Sequence, residues 1–184
     1  MMITSQKGID LIKEFEGFEP RTYTDAVGVK TIGYGTALFT PDIILRYEGR
    51  TITESEAQEL LQIHLANNVE PVIRQYVNVE LNQNQFDALA SFIYNVGAGN
   101  FRNSTLLQKI NSGAGEDEIK YQFSRWNKGR VNGELVELAG LTRRRKAESD
   151  LYYAISPKKK MILVIVAIVL TITATYLFYR KLKQ

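Results

Sequence analysis

The chain has 184 residues, 45% of them apolar and 23% charged, which is enough apolar material for a well-buried domain and ordinary for a globular protein, so disorder is not the default expectation. It has no cysteine, which excludes a disulfide framework, a thiolate nucleophile and a thiolate-bound metal. Six basic and no acidic residues lie beyond Pro157 (Lys158, Lys159, Lys160, Arg180, Lys181 and Lys183), leaving 17 basic against 20 acidic elsewhere; the pI of about 9.0 belongs to the tail, and nucleic acid is not an expected partner.

Met1 to Gly8 lacks the apolar core of a cleaved leader, so export by one is not expected. The first helix should start from Thr4 or Ser5 as N-cap, carry Ile9, Ile12 and Phe15 on one face, and stop near Glu16 because Gly17 suits a C-terminal cap. Tyr23 to Gly35, rich in Val, Thr, Tyr and Gly, reads as a small antiparallel hairpin. Everything after it reads as helical. Thr40 and Pro41 open a short helix, Thr53 and Glu56 form a capping box, and Pro71 interrupts or restarts the pattern before Tyr76. Phe86, Leu89, Ala90, Ile93 and Tyr94 make a helical stripe that stops at Gly97, and Ile119, Phe123 and Trp126 make another. A last helix from Thr142 closes a domain of residues 1–154. The fold class is α+β, mainly α.

Residues 155–160 then read as a basic linker, 161–179 as a transmembrane helix and 180–184 as a basic tail. The run MILVIVAIVLTITATYLFY is uncharged and as a helix would extend about 28 Å, close to the roughly 30 Å hydrocarbon core of a bilayer. Lysines before it, Arg180 to Lys183 after it, and Tyr176 and Tyr179 near one end supply interfacial flanks. A lipid bilayer is therefore an expected partner. The flanking charges nearly tie; Arg143 to Lys146 and the lack of a leader weigh toward the domain lying on the cytoplasmic or virion-interior side.

The chemistry-bearing group is Glu16, Asp25 and Thr31, because a helix end followed at once by a hairpin can fold two carboxylates and a hydroxyl around one cleft. Glycoside hydrolysis needs one protonated carboxyl for the leaving oxygen and one ionised carboxyl for the sugar or the water. Glu16, at the negative end of a helix dipole and beside Phe15 and Phe18, suits the acid role; Asp25, on a more solvated hairpin, suits the ionised one. Spacing alone also fits a solvated acidic face of Glu14, Glu16 and Glu19 with a turn aspartate.

The segment EGFEPRTYTDAVGVKTIGYGT resembles the active-site region of the phage-type lysozymes, glycoside hydrolase family 24: Glu, eight residues, Asp or Cys, five residues, Thr falls on Glu16, Asp25 and Thr31 without a gap. FDALASFIYNVGAGNFRNSTLL, RWNKG and GLTRRRKAE are similar to further family blocks, so the resemblance covers about residues 5 to 154. It implies a lysozyme-like fold, with a small N-terminal hairpin lobe and a helical C-terminal lobe around a cleft. The implied reaction is hydrolysis of the β-1,4 bond between N-acetylmuramic acid and N-acetylglucosamine in peptidoglycan, for phage-driven lysis or virion entry. Glu16 is then the general acid, Asp25 and Thr31 hold the water, and no metal or organic cofactor is needed. An inverting outcome would set the carboxyl groups about 6.5 to 9.5 Å apart.

The resemblance also places Tyr94, Asn95 and Ser104 across the cleft as substrate-binding residues. Each has a structural use as well: Tyr94 in the core, Asn95 at the helix end, Ser104 as a helix cap. His64, the only histidine, reads as a surface residue. Arg143, Arg144 and Arg145 in the first turn of a helix would oppose its dipole and call for anionic partners, with Glu14 and Glu16 as candidates; pairing with Glu16 itself would favour its ionised form. The alternative to an enzyme is a glycan-binding or structural virion-membrane protein that has kept the fold.

Overall fold

A computed structural model describes residues 1–24, 28–38, 41–154, 161 and 164–173. The chain divides into two units, Met1–Tyr153 and Ala154–Gln184.

In the first unit, helix α1 (Gln6–Glu16) starts after Ser5 and ends at Gly17, whose left-handed φ of 71° turns the chain and whose N–H donates to the Lys13 carbonyl. Ile9 and Ile12 are buried and Phe15 partly so. The Ser5 side chain does not cap the helix. Instead Asp87, fully buried on a distant helix, accepts from the Ser5 N–H and the Ser5 hydroxyl at 2.8 and 2.5 Å, so its carboxylate sits at the positive end of the α1 dipole. The N–H of Thr4 is likewise taken by buried Glu70 at 2.8 Å.

The chain then forms an antiparallel sheet of three strands in sequence order: β1 (Glu19–Thr24), β2 (Lys30–Gly33) and β3 (Thr36–Ala37). The expected hairpin is thus extended by four residues at its start and by a third strand too short to read from a pattern of alternation. Helix α2 (Pro41–Tyr47) follows, then α3 (Glu54–His64), where both bonds of the Thr53/Glu56 capping box are made. A π-helical turn (Leu65–Val69) joins α3 directly to α4 (Glu70–Tyr76), which has its proline in the first turn, so Pro71 restarts a helix without breaking the rod.

Helix α5 (Gln83–Val96) is buried along most of its length and packs against α1 and the last helix. Around it lie α6 (Ala98–Arg102), α7 (Thr105–Asn111) and α8 (Glu116–Ser124). Phe92 of α5 is the centre of the core, with the rings of Phe101, Phe123 and Trp126 edge-on at 5.4 to 6.2 Å. An all-helical second half is corrected by a two-stranded hairpin, β4 (Lys128–Val131) and β5 (Glu134–Glu137), paired Val131 to Glu134 around Asn132 and Gly133. Both turn residues have positive φ, 51° and 87°, the geometry that Asn-Gly favours between twisted strands. Helix α9 (Ala139–Tyr153) begins three residues before Thr142.

In the second unit, residues 164–173 are helical and their apolar side chains exposed. Ten helical residues extend about 15 Å, and among the described residues no helix is long and apolar enough to cross a membrane. The expected 161–179 span is therefore not borne out by the described residues, while residues 162–163 and 174–179, like the expected linker and tail, lie outside them.

Candidate active site

Glu16 is the last residue of α1, so its carboxylate faces the end of the helix where carbonyls lack partners. Glycine at 35 lets the β2–β3 turn lie against it. With φ at 78°, a Cβ at Gly35 would be strained, and it would stand 3.2 Å from Glu16 Oε2 and 3.6 Å from the Tyr94 hydroxyl. That hydroxyl donates to the Tyr34 carbonyl at 2.6 Å. Burial, reinforced by the neighbouring Glu16 carboxylate, pushes the Tyr94 phenol up, so it stays a protonated donor.

Arginine 144 holds Glu16 from the other side. Its Nη1 donates to Glu16 Oε1 at 2.6 Å, with the arginine side chain 3% exposed and the glutamate 21%. The expected pairing of an arginine with Glu14 or Glu16 therefore falls on Glu16 itself. The reason is packing: with α9 starting at Ala139, the arginines stand inside the helix, and Arg144 and Arg145 are turned inward among α1 and α5 while Arg143 is exposed.

Glu16 lines two open grooves. One, about 260 Å³, runs along Gly17, Phe18, Glu19 and Tyr23 to Gly33; the other, about 340 Å³, runs past Asn95, Leu141 and Arg143. Asn95 and Leu141 also border a third, about 480 Å³, between Trp126, Lys128 and Leu135. Shared residues thus link an extended surface path on which Glu16, the carboxyl common to the first two grooves, stands where they meet, a shape suited to a polymer. Among the described residues no cluster of three metal-ligating side chains occurs.

The structure brings Glu16, Tyr94 and Asn95 together. Asn95 is exposed to the groove and its Oδ1 accepts from Arg145 Nη2 at 2.9 Å. Thr31 is buried on β2 opposite Tyr23, and its hydroxyl donates to the Val29 carbonyl at 3.2 Å. Asp25 lies outside the described residues. Ser104 is buried away from these groups: its hydroxyl donates to the Phe101 carbonyl at 2.7 Å and accepts from the Leu107 N–H at 3.0 Å as the cap of α7. His64 is half-buried with its ring edge-on to Tyr94 at 5.2 Å, and burial holds its pKa below the usual histidine value. Sequence reasoning did not single out Gly35 and Tyr23 beside Glu16; only the glycine, in a GYG turn beside a strand, carried a visible signal.

The phage lysozyme family matches residues 13–148. An endolysin of Acyrthosiphon pisum secondary endosymbiont phage 1 is 36% identical over 151 residues, 82% of this chain and 98% of that relative. An endolysin of Bacillus phage PZA is 39% identical over 159 residues, 85% of this chain and 57% of the relative's own length. Among solved structures, the muramidase domain of SpmX from Asticaccaulis excentricus is similar with a TM-score of 0.75 at 32% identity, over 84% of this chain and 100% of that one.

Proposed function

Because this chain belongs to the phage lysozyme family and is a muramidase, we propose that Glu16 is the general acid that protonates the leaving oxygen of the β-1,4 bond between N-acetylmuramic acid and N-acetylglucosamine. The observation that carries this reading is the position of Glu16 at the meeting of two grooves, fixed from behind by Arg144 and flanked by the Tyr94 hydroxyl. A glycan strand lying along the path presents one linkage to that carboxyl, and binding along its length orients the bond. Asp25 and Thr31 are assigned the attacking water on the opposite face of the sugar. Asn95 and Tyr94 border the strand, the first as a polar contact and the second by holding the β2–β3 turn. Ser104 is assigned to the helix cap. No metal is called for, since a carboxylic acid and an activated water suffice for this bond.

The products test the reaction. Mass spectrometry of muropeptides released from purified peptidoglycan is expected to find reducing N-acetylmuramic acid ends; the anhydro sugar in their place would mean that no water is positioned, and the assignment of Asp25 and Thr31 would fall.

The same reading places the enzyme on a membrane through residues 161–179, in the host inner membrane or a virion membrane. Nineteen uncharged residues between basic flanks support it, as do Thr171 and Thr173, whose hydroxyls donate to the carbonyls of Ala167 and Val169 at 2.8 Å and so need no water. The full chain is expected to sediment with lipid vesicles through washes in high salt, and a chain ending at Ala154 to stay in the supernatant. Release of the full chain by salt alone would reduce the tail to a surface electrostatic contact.

A further inference from the structure

An acid that must hold a proton next to a guanidinium is in a difficult position, and the groups behind it bear on that difficulty. Arg144 uses three sides of its guanidinium: Nη1 to Glu16, Nη2 to the Ser91 carbonyl at 3.2 Å and Nε to Glu148 Oε1 at 3.1 Å. Glu148 is fully buried one turn further along α9; its Oε1 also accepts from Arg145 Nη2 at 3.1 Å and from the Ser91 hydroxyl at 2.8 Å, and its Oε2 lies 3.0 Å from Arg145 Nε as an ion pair without a hydrogen bond. Arg145 in turn lies over the Phe92 ring and reaches Asn95 at the groove. Burial pushes Arg145 down to about 10, which still leaves it charged at neutral pH.

The charges can be counted for each state of Glu16. With Glu16 ionised, two carboxylates face two guanidiniums and the cluster is neutral. With Glu16 protonated it carries one net positive charge. If Glu148 were neutral, those values would become one and two, and a second uncompensated cation would act on Glu16 within a buried, weakly screened site. The other ionisable groups around Glu16 lie outside that buried cluster: the Tyr94 phenol stays protonated, Glu19, beside Tyr23 on the sheet side of the groove, and Glu14 and Arg143 on the α9 side are exposed, where solvent screens them.

We propose that Glu148 is the positioning residue of the general acid: it absorbs the charge of Arg145 and anchors Arg144, so that Glu16 is held in place by one cation yet keeps its proton until the glycosidic oxygen takes it. This rests on the reading of Glu16 as the acid. Glu148 touches no substrate; it acts through Arg144. Burial pushes its own carboxyl up, against the pull of Arg145 and Arg144, and the role requires that it stay ionised where the enzyme works.

The test is the pH dependence of kcat/KM on peptidoglycan for the full chain and for Glu148→Gln, Arg145→Met and Glu16→Gln. Glu148→Gln is expected to move the basic limb, where the acid loses its proton, to lower pH by about one unit or more, and Arg145→Met to move it to higher pH. Opposite shifts from two substitutions that both loosen the same core are what a merely structural cluster would not produce. Unmoved limbs with a uniform loss of rate overturn the proposal and leave the acid in place; an active Glu16→Gln overturns the acid itself, and the proposal with it. Should the buried variants fail to fold, carboxyl NMR of the unmodified chain decides. Glu148 ionised across the basic limb supports the proposal, and Glu148 protonated there overturns it.

Discussion

Glu16→Gln is expected to lower peptidoglycan hydrolysis by at least about 10²-fold, the lower end for loss of a general acid, while the fold loses less than about 1 kcal/mol. Both halves follow from the geometry. The amide keeps an oxygen to accept from Arg144 Nη1, and Arg144 keeps Glu148 and the Ser91 carbonyl, so the guanidinium retains its hydrogen-bond partners and the cluster carries the same single positive charge as it does with Glu16 protonated. What the amide cannot do is give a proton to a leaving oxygen. Turbidity clearing and thermal unfolding of the same preparation check the two together. Equal clearing by parent and variant would place the acid elsewhere; a large fall in melting temperature would mean that the Glu16–Arg144 contact serves chiefly to hold the fold.

Phe92→Ala should do the opposite, costing about 3–5 kcal/mol of stability. Phe92 is fully buried, three aromatic rings meet it edge-on, and it supports the Arg145 guanidinium at 4.8 Å. Its removal leaves a cavity bordered by rings that cannot rotate to fill it, and takes a favourable face from a buried cation. For a domain of this size the melting temperature should fall by roughly 6–20 °C. Chemical denaturation of the chain measures the loss, and a cost under about 1 kcal/mol would mean that the core around Phe92 is loosely packed.

Features whose cause is local were legible in the sequence. Gly17 ends α1 because a left-handed residue is needed there, Thr53 and Glu56 satisfy each other's backbone groups, and the Phe86-to-Ile93 stripe is buried because its spacing follows a helix. The β4–β5 hairpin had a local cause too, Asn132–Gly133, but its strands bury no face, so there was no alternation to accompany the turn. The site divides in the same way. Glu16 stands where a helix end and a family motif coincide, whereas Glu148 sits in RRRKAE, a text that reads as a solvated helix face. Its burial arises only when α5 brings Ser91 and Phe92 against α9, 57 residues away from Ser91 in sequence. Likewise the capping of α1 by Asp87 is invisible locally, because the cap comes from another helix.

Both ends of α1 are held by partners far along the chain: Asp87 reaches Ser5 across 82 residues, and Arg144 reaches Glu16 across 128. On the ribosome, the helix that carries the acid is made before both of its anchors and waits for them, since the second belongs to the last helix of the domain. A nascent or prematurely terminated product lacking α9 has the carboxyl without its guanidinium and without the wall formed by Leu141 and Arg143. Assembly of the groove around the carboxyl thereby waits on the last helix of the domain, and the order of synthesis sets a delay between the reactive group and its surroundings.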